Sequence, residues 1–235
     1  MSLYIILMGV QGAGKGEQAK FIHERYGIPH VSTGDLFRAM KTREDELAKR
    51  VQQIMAEGRL VDDATTNEVV KDRLSQPDAQ GGVIFDGYPR TPNQAAWLEN
   101  YLAEMGARID AVLLLELDLY TAFKRAFGRV SSASGKTYNI YFNRDGLHQA
   151  NFEDHPEKAY PPRLIAVDAE TGETLARRPD DASADAILKR IDTFVATTQP
   201  LIDYFDAKNL VKRIPADQSI EAVSAAIEKA IQETK

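Results

Sequence analysis

A glycine-rich loop, GVQGAGKG at residues 9–16, lies between a short apolar run and a segment with helical periodicity. Glycines allow backbone N–H groups to turn toward an anion, and the N-terminus of a following helix adds positive potential. Lys15 supplies a movable cation, so the pattern predicts a phosphate-binding loop rather than a tight turn with an incidental lysine. Gly16 and Glu17 follow the lysine, where the common form of this loop has a hydroxyl that binds Mg²⁺.

A second segment, VIFDGYPRTPNQ at residues 83–94, carries an acidic and a basic candidate. Asp86 ends an apolar run that predicts a buried strand, and open parallel sheets bind ligands at that edge. A carboxylate there can hold Mg²⁺ through water. Arg90 follows in a loop bracketed by prolines, and its planar guanidinium group suits a phosphate. The alternative for Asp86 is a cap on the following turn.

Four more arginines are candidates for phosphate binding. Arg125 and Arg129 are four residues apart, so they would share one face of a helix, where like charges are unfavourable unless an anion compensates. Arg178 and Arg190 flank the sequence PDD. The alternative for the pair Arg125 and Arg129 is a solvated position on the surface.

The elements that must position these residues can be predicted from hydrophobic patterns. Short apolar runs alternate with longer helical patterns, which is typical of an α/β protein with a parallel sheet covered on both faces. We expect strands at Tyr4–Met8, His30–Ser32, Val83–Asp86, Ala111–Leu117 and Val211–Ile214, and the first and last helices at Gly16–Tyr26 and Ser219–Gln232.

Two segments interrupt this alternation. Residues 34–63 are highly charged and predict two or three inserted helices, and STGDLFR at residues 32–38 is either a plain capped helix start or part of a ligand pocket. Residues 130–179 are rich in glycine, proline, serine and aromatics. Because a structureless connection of that length is improbable in a compact domain, we expect a small subdomain of short β-strands there.

Composition limits the class of protein. The 235 residues are 43% hydrophobic and 27% charged, and the formal net charge of −6 argues against a broad basic face for nucleic acid. Cysteine is absent, which excludes disulfides and cysteine-ligated zinc and suits the cytosol. The apolar run at residues 3–10 is too short to span a bilayer and lacks a basic leader, so we expect a soluble, cytoplasmic protein.

Taken together, the motifs resemble those of adenylate kinases of the long, lid-bearing type. GVQGAGKGEQ, STGDLFR, GRLV and DGYPRTPNQ occur in the family's order and spacing, followed by GRV, SGKTY, RRPDD and PLIDYF. The resemblance implies the P-loop nucleoside monophosphate kinase fold, with a five-stranded parallel sheet flanked by helices. It also implies a core of residues 1–31, 64–129 and 180–235, a helical monophosphate-binding domain at 32–63, and a lid at 130–179.

The resemblance also implies roles for individual residues. The expected ATP site comprises Gly12, Ala13, Gly14, Lys15, Gly16, Glu17, Arg125, Arg129, Thr137 and Tyr138. The expected AMP site comprises Thr33, Arg38, Arg59, Leu60, Val61, Gly87, Tyr88, Pro89, Arg90, Gln94, Arg178 and Arg190. The expected catalytic set is Lys15, Asp86, Arg90, Arg125, Arg129, Arg178 and Arg190, with Asp86 reaching Mg²⁺ through water.

Three positions refine this interpretation. The family has glycine after the lysine and commonly threonine after that, whereas this chain has Glu17; we expect its side chain to turn away from the phosphates or to pair with a cation. Relatives that phosphorylate UMP or CMP tend to have alanine and asparagine where this chain has Thr33 and Gln94, which points to adenine.

The lid differs from that of many relatives because a four-cysteine zinc site is impossible, and its middle is longer than expected. The resemblance implies that Ser131, Ser134, Asp168 and Thr171 form a hydrogen-bonded polar set instead, with a serine where the family often has histidine. His148 and His155 lie in the unmatched insertion near Asp154, where solvated histidines are commoner than a metal site.

The sequence therefore predicts a monomeric phosphotransferase that uses ATP and Mg²⁺ to convert AMP into ADP, with no nucleic-acid or membrane partner. The alternatives are a kinase for another monophosphate such as UMP or CMP, and a nucleotide-binding module without catalysis. A GTPase-like switch would need an N-K-x-D motif, which the sequence lacks.

Overall fold

The computed structural model describes residues 2–57, 61–142, 144–153, 163–177, 181 and 183–234. The chain forms two compact units, one of residues 1–117 with 194–235 and the other of residues 118–193. The strands are β1 (Leu3–Gly9), β2 (His30–Ser32), β3 (Gly82–Asp86), β4 (Ala111–Glu116), β5 (Arg129–Ser131), β6 (Thr137–Asn139), β7 (Leu147–Glu153), β8 (Arg163–Asp168) and β9 (Val211–Pro215). The helices are α1 (Lys15–Tyr26), α2 (Thr33–Met40), α3 (Glu46–Ala56), α4 (Asp63–Leu74), α5 (Pro92–Glu104), α6 (Leu119–Phe127), α7 (Ala184–Asp206) and α8 (Ile220–Gln232), with a 3₁₀ turn at Pro77–Ala79.

The first unit contains a five-stranded sheet in the order β2-β3-β1-β4-β9, and each neighbouring pair is parallel. The expected fold class is therefore confirmed. β1 and β4 are buried almost throughout, because apolar side chains project from both faces of a sheet covered by helices. In register, Asp86 is level with Leu7 of β1 and Ser32 of β2, so the carboxyl ends of three strands adjoin.

Large apolar side chains fill the core of this unit. Tyr4 and Phe85 from the sheet pack in one cluster with Leu98 of α5 and Phe205 of α7, and all four are nearly inaccessible to water. This packing fixes the sheet edge at which the candidate residues lie.

The charged segment at residues 34–63 contains α2 and α3 and the first residue of α4, so the expectation of inserted helices is confirmed. Met40, Val51 and Val69 form a small core among these helices. Ser32 caps α2, and its side chain accepts a hydrogen bond from Asp35 N at 3.4 Å.

The second unit contains two antiparallel strand pairs, β5–β6 and β7–β8, as expected from its composition. Val130, Tyr138, Ile140, Ala166 and Leu175 form its core. The expectation that Arg125 and Arg129 share a helix face is wrong. α6 ends at Phe127 with Gly128 as its C-cap, and the chain then turns so that Arg129 begins β5.

The predicted boundaries of a three-domain arrangement, with a monophosphate-binding domain at 32–63 and a lid at 130–179, stay a prediction. Within the described ranges, none of the helices combines the length and the apolar character that crossing a membrane requires.

Candidate active site

The glycine-rich loop leads from β1 into α1 in a conformation that needs glycine. Gly12 and Gly14 both have φ of 90°, a region that side chains with a Cβ avoid, and Gly14 is the N-cap of α1. Lys15 folds back along the loop, where its Nζ donates hydrogen bonds to Gly9 O at 2.6 Å and Val10 O at 3.3 Å. The loop therefore combines a helix N-terminus with a cation, which suits a phosphate.

Asp86 lies at the carboxyl end of β3 and does not cap the next turn. Its Oδ2 is 3.3 Å from His30 Nε2 on the neighbouring strand. Burial would raise the pKa of the Asp86 carboxyl, and the hydrogen bond with His30 lowers it. The charges of Lys15 and Arg90 lower it further, so the net pKa lies below the ordinary value. The carboxylate is therefore ionised at neutral pH, and carboxylate oxygen is the type of donor that Mg²⁺ prefers.

Thr33, Gly87 and Arg90 form a compact polar group beside Asp86. Thr33 Oγ1 donates to Gly87 O at 2.9 Å, and Arg90 Nε donates to the same carbonyl at 2.7 Å. A Cβ at Gly87 would lie 3.1 Å from Thr33 Oγ1 and 3.2 Å from Arg90 Nη2, and φ there is +75°, so glycine is required. Arg90 is exposed.

Gln94 is buried at the start of α5, with 5% of its surface exposed, and both ends of its amide are hydrogen-bonded. Its Oε1 accepts from Arg90 N at 2.7 Å, and its Nε2 donates to Asp63 Oδ1 at 2.7 Å. Thr91, the N-cap of α5, accepts from Gln94 N and donates to the other oxygen of Asp63. These bonds connect the arginine loop to the first residue of α4.

The remaining predicted AMP contacts are distributed around this group. Arg38 is exposed and pairs with Asp35, three residues earlier on α2. Tyr88 and Pro89 are buried, and the Tyr88 hydroxyl donates to Asn67 Oδ1 at 2.6 Å. Burial, with the charge of Asp63, raises the pKa of Tyr88 well above its ordinary value, so the hydroxyl remains a donor. Val61 packs against the small core of the inserted helices, whereas the predictions for Arg59, Leu60 and Arg178 lie outside the described residues.

In the second unit, two predicted catalytic arginines converge on one carboxylate. Asp181 is fully buried, and its Oδ2 accepts hydrogen bonds from Arg129 Nε at 2.8 Å and from Arg129 Nη2. Its Oδ1 accepts from Arg190 Nη1 at 2.7 Å. One anion therefore holds two guanidinium groups in fixed positions. Arg125 instead lies against an aromatic ring, with its Cζ 5.6 Å from the centroid of Phe142.

Of the polar set expected in the lid, Asp168 and Thr171 are hydrogen-bonded to each other, whereas Ser131 Oγ lies 3.5 Å from Thr137 Oγ1. The Tyr138 hydroxyl and the N–H groups of Glu170 and Thr171 donate to the Asp168 carboxylate. The Tyr138 hydrogen bond is the main reason why the pKa of Asp168 falls to about 2. Ser134 bonds to Ser132 instead, at 2.8 Å.

Tyr138 is therefore committed to the interior of its unit, and the adjacent Thr137 is partly exposed on β6. Both remain predicted ATP contacts.

Two further expectations concern charged groups outside this network. The Glu17 side chain is exposed and makes no ion pair with another described residue, so pairing with a cation is not observed. Among the residues that the structure describes, no three histidine or acidic side chains gather as a direct metal site. His148 is exposed on β7, and His155 lies outside the described part of the chain.

Sequence reasoning missed three polar residues that hold predicted site residues in place. They are His30 beside Asp86, Asp63 beside Gln94, and Asp181 between the arginines. For Asp181 a signal existed, because it belongs to the PDD sequence between two candidate arginines. Asp63 and His30 are far in sequence from their partners and carried no such signal.

Comparison with known proteins identifies the family. The model of the adenylate kinase family matches residues 7–210. The adenylate kinase of Listeria monocytogenes serotype 4b (strain CLIP80459) is 38% identical over 227 residues, covering 96% of this chain and 97% of that protein. The adenylate kinase of Symbiobacterium thermophilum is 36% identical over 234 residues, covering 99% of this chain and all of that protein, and that of Thermoanaerobacter sp. (strain X514) is 37% identical over 228 residues, covering 97% of each chain. The loop, the sheet edge and these matches agree, and the chain belongs to the adenylate kinase family.

Proposed function

We propose that this protein transfers a phosphoryl group reversibly from ATP to AMP, giving two molecules of ADP, in a reaction that depends on Mg²⁺. One observation carries the proposal. Lys15 and Arg90 lie near enough to the Asp86 carboxylate to lower its pKa, at the carboxyl edge of a parallel sheet. The proposed phosphate-binding loop, the proposed Mg²⁺ partner and the proposed phosphate-binding arginine are therefore neighbours in the first unit.

The proposed donor site is the loop at residues 12–17, where backbone N–H groups and Lys15 bind the ATP phosphates. Asp86 would hold Mg²⁺ through water, and the bound ion would neutralise charge on the phosphates. Thr137 and Tyr138 are further proposed contacts of ATP. Because positioning and charge compensation supply nearly all the catalysis in phosphoryl transfer, no general base is required when the acceptor is an ionised phosphate.

The proposed acceptor site lies around the Thr33–Arg90 group. Arg38 and Arg90 would bind the AMP phosphate, since their guanidinium groups match its geometry. Arg38 can exchange its exposed partner Asp35 for a phosphate at little cost. Thr33 and Gln94 would read the adenine, which favours AMP over UMP and CMP as the acceptor.

We propose that four arginines surround the transferred phosphoryl group. Arg125, Arg129, Arg178 and Arg190 would compensate the charge that develops on it. Asp181 supports this assignment, because an internal carboxylate fixes Arg129 and Arg190 before any anion arrives. The predicted monophosphate-binding and lid domains would close over the two nucleotides and exclude water from the phosphoryl group.

The decisive experiment is to incubate the purified protein with Mg²⁺, ATP and one of AMP, CMP, UMP or GMP, and to identify the products by chromatography. We expect ADP from both substrates when AMP is the acceptor, and no transfer when EDTA removes Mg²⁺. The reverse reaction, ADP to ATP and AMP, is the matching control. Transfer to UMP or CMP at a rate above that for AMP would replace the proposal with the kinase for another monophosphate. Binding of nucleotides without any transfer would favour the non-catalytic module.

A further inference from the structure

We propose that Asp63 is a specificity-determining positioning residue, which fixes the orientation of the Gln94 amide and thereby sets which purine the acceptor site takes. The inference rests on the proposed function, because it concerns the base of the same acceptor. Asp63 belongs to none of the motifs that identify the family in this sequence.

The geometry around the Gln94 side chain is fully defined. Gln94 Nε2 lies 2.7 Å from Asp63 Oδ1, and Arg90 N lies 2.7 Å from Gln94 Oε1. Asp63 is itself held, because Thr91 Oγ1 donates to its Oδ2 at 2.8 Å. Both bonded ends of the amide are therefore anchored to groups that are fixed by the starts of α4 and α5.

The two hydrogen-bond partners allow only one orientation of the Gln94 amide. An ionised carboxylate only accepts hydrogen bonds, so the atom facing Asp63 must be the amide nitrogen. A backbone N–H only donates, so the atom facing Arg90 N must be the amide oxygen. Rotating the Gln94 amide by 180° would set two acceptors and two donors against each other in a buried site, which is strongly unfavourable.

A fixed amide presents a fixed pattern to a ligand. After these two bonds, one N–H and one oxygen lone pair of the Gln94 side chain remain. A 6-aminopurine offers a donor at its amino group and an acceptor at N1, whereas a 6-oxopurine offers the reverse pair, an acceptor at O6 and a donor at N1. If the sugar and phosphate hold the base in one position, the fixed amide pairs with only one of these patterns, and a freely rotating amide pairs with either.

The test compares AMP with inosine monophosphate, which carries the 6-oxo pattern, in the Asp63→Ala variant. We expect the ratio of kcat/KM for AMP over inosine monophosphate to fall by about tenfold or more, mainly through a higher KM for AMP and with kcat for AMP within about threefold of the starting value. Asp63→Asn should retain most of the selectivity, because its amide oxygen can accept from Gln94 while its amide nitrogen faces Thr91. Calorimetric titration with AMP alone measures the same loss without a phosphate donor.

The matched control is the adjacent aspartate. Asp62 is the N-cap of α4 and accepts from Thr65 N at 2.8 Å, whereas the Gln94 side chain bonds to Asp63 and Arg90 N. Asp62→Ala should lower the stability of α4 and leave the base preference unchanged. An equal change of preference in this variant would show that the helix start, rather than the Gln94 contact, matters, and would overturn the inference.

The other possible results distinguish failure of the Asp63 inference from failure of the proposed function. Unchanged selectivity in Asp63→Ala, with the unaltered protein active on AMP, overturns the inference and leaves the proposed function standing. A protein that transfers nothing to AMP overturns both. If Asp63→Ala fails to fold, Asp63→Ser replaces it, since serine favours a helix start but its short hydroxyl cannot hold Gln94 at the same distance.

Discussion

Replacing Asp181 with asparagine tests whether the arginines are held by an internal anion. Asp181 is fully buried, and 18% of the Arg129 side chain and 37% of the Arg190 side chain are exposed. Asparagine keeps the size but removes the charge, and its NH₂ group must face one of the two guanidinium groups. Breaking a buried ion pair costs about 3–5 kcal/mol. Because solvent screens Arg190, we expect the free energy of unfolding of the second unit to fall by about 3 kcal/mol.

The assay is hydrogen exchange of the second unit followed by mass spectrometry, combined with thermal unfolding. Trp97 fluorescence would miss the effect, because the tryptophan belongs to the first unit. For a unit of this size, a loss of about 3 kcal/mol corresponds to a decrease in Tm of roughly 12–24 °C. Asp185→Asn, in the first turn of α7, removes the same charge at an exposed position and should change little. Equal exchange protection of β5 and β6 in both variants would refute the reasoning.

Three further predictions address the loop, a helix end and the lid. Lys15→Met should lower kcat for ADP formation at least about a hundredfold, with Tm nearly unchanged, because it removes the cation proposed to bind the phosphates, whose Nζ donates to carbonyls of its own loop. Gly128→Ala should destabilise the second unit by about 1–3 kcal/mol in urea unfolding, since its Cβ would lie 2.6 Å from Asn139 Oδ1. The Tyr138 hydroxyl holds the pKa of Asp168 at about 2, so this carboxylate stabilises the second unit above its ordinary pKa of 3.8 and the contribution is lost as the pH falls through about 2. Hydrogen exchange measured across that range should show the loss, and Tyr138→Phe should make the dependence weaker.

Much of the first unit could be predicted because its signals are local. All five strands of the sheet were expected within one residue of their observed bounds. The clearest of them, such as β4, are continuous apolar runs of the length that is typical of strands buried on both faces. The glycine-rich loop and the helix that follows it were equally clear. Ser219 was expected to open the last helix, and it is the N-cap of α8.

The errors and omissions arise from contacts between distant residues. Arg129 was assigned to a helix face because spacing alone cannot show that Gly128 ends the helix one residue earlier. Asp63 and Gln94 are 31 residues apart, and Arg129 and Asp181 are 52 apart. A single sequence gives the type of each residue and its neighbours along the chain. The pairing depends on how the elements pack.

The cations proposed to bind nucleotides differ in how firmly the protein already holds them. Arg38 pairs with Asp35 while about two thirds of each side chain is exposed, so that pair is worth about 0–1 kcal/mol and a phosphate can replace it. Lys15 donates to backbone carbonyls of its own loop, which carry no net charge to compete with a polyphosphate. Asp181, in contrast, is fully buried, and losing Arg129 would remove a guanidinium group that compensates its buried charge. A nucleotide should therefore displace the partners of Arg38 and Lys15 and add to the partners of Arg129, which makes the first two cations suited to binding and the third suited to a fixed place beside the transferred group.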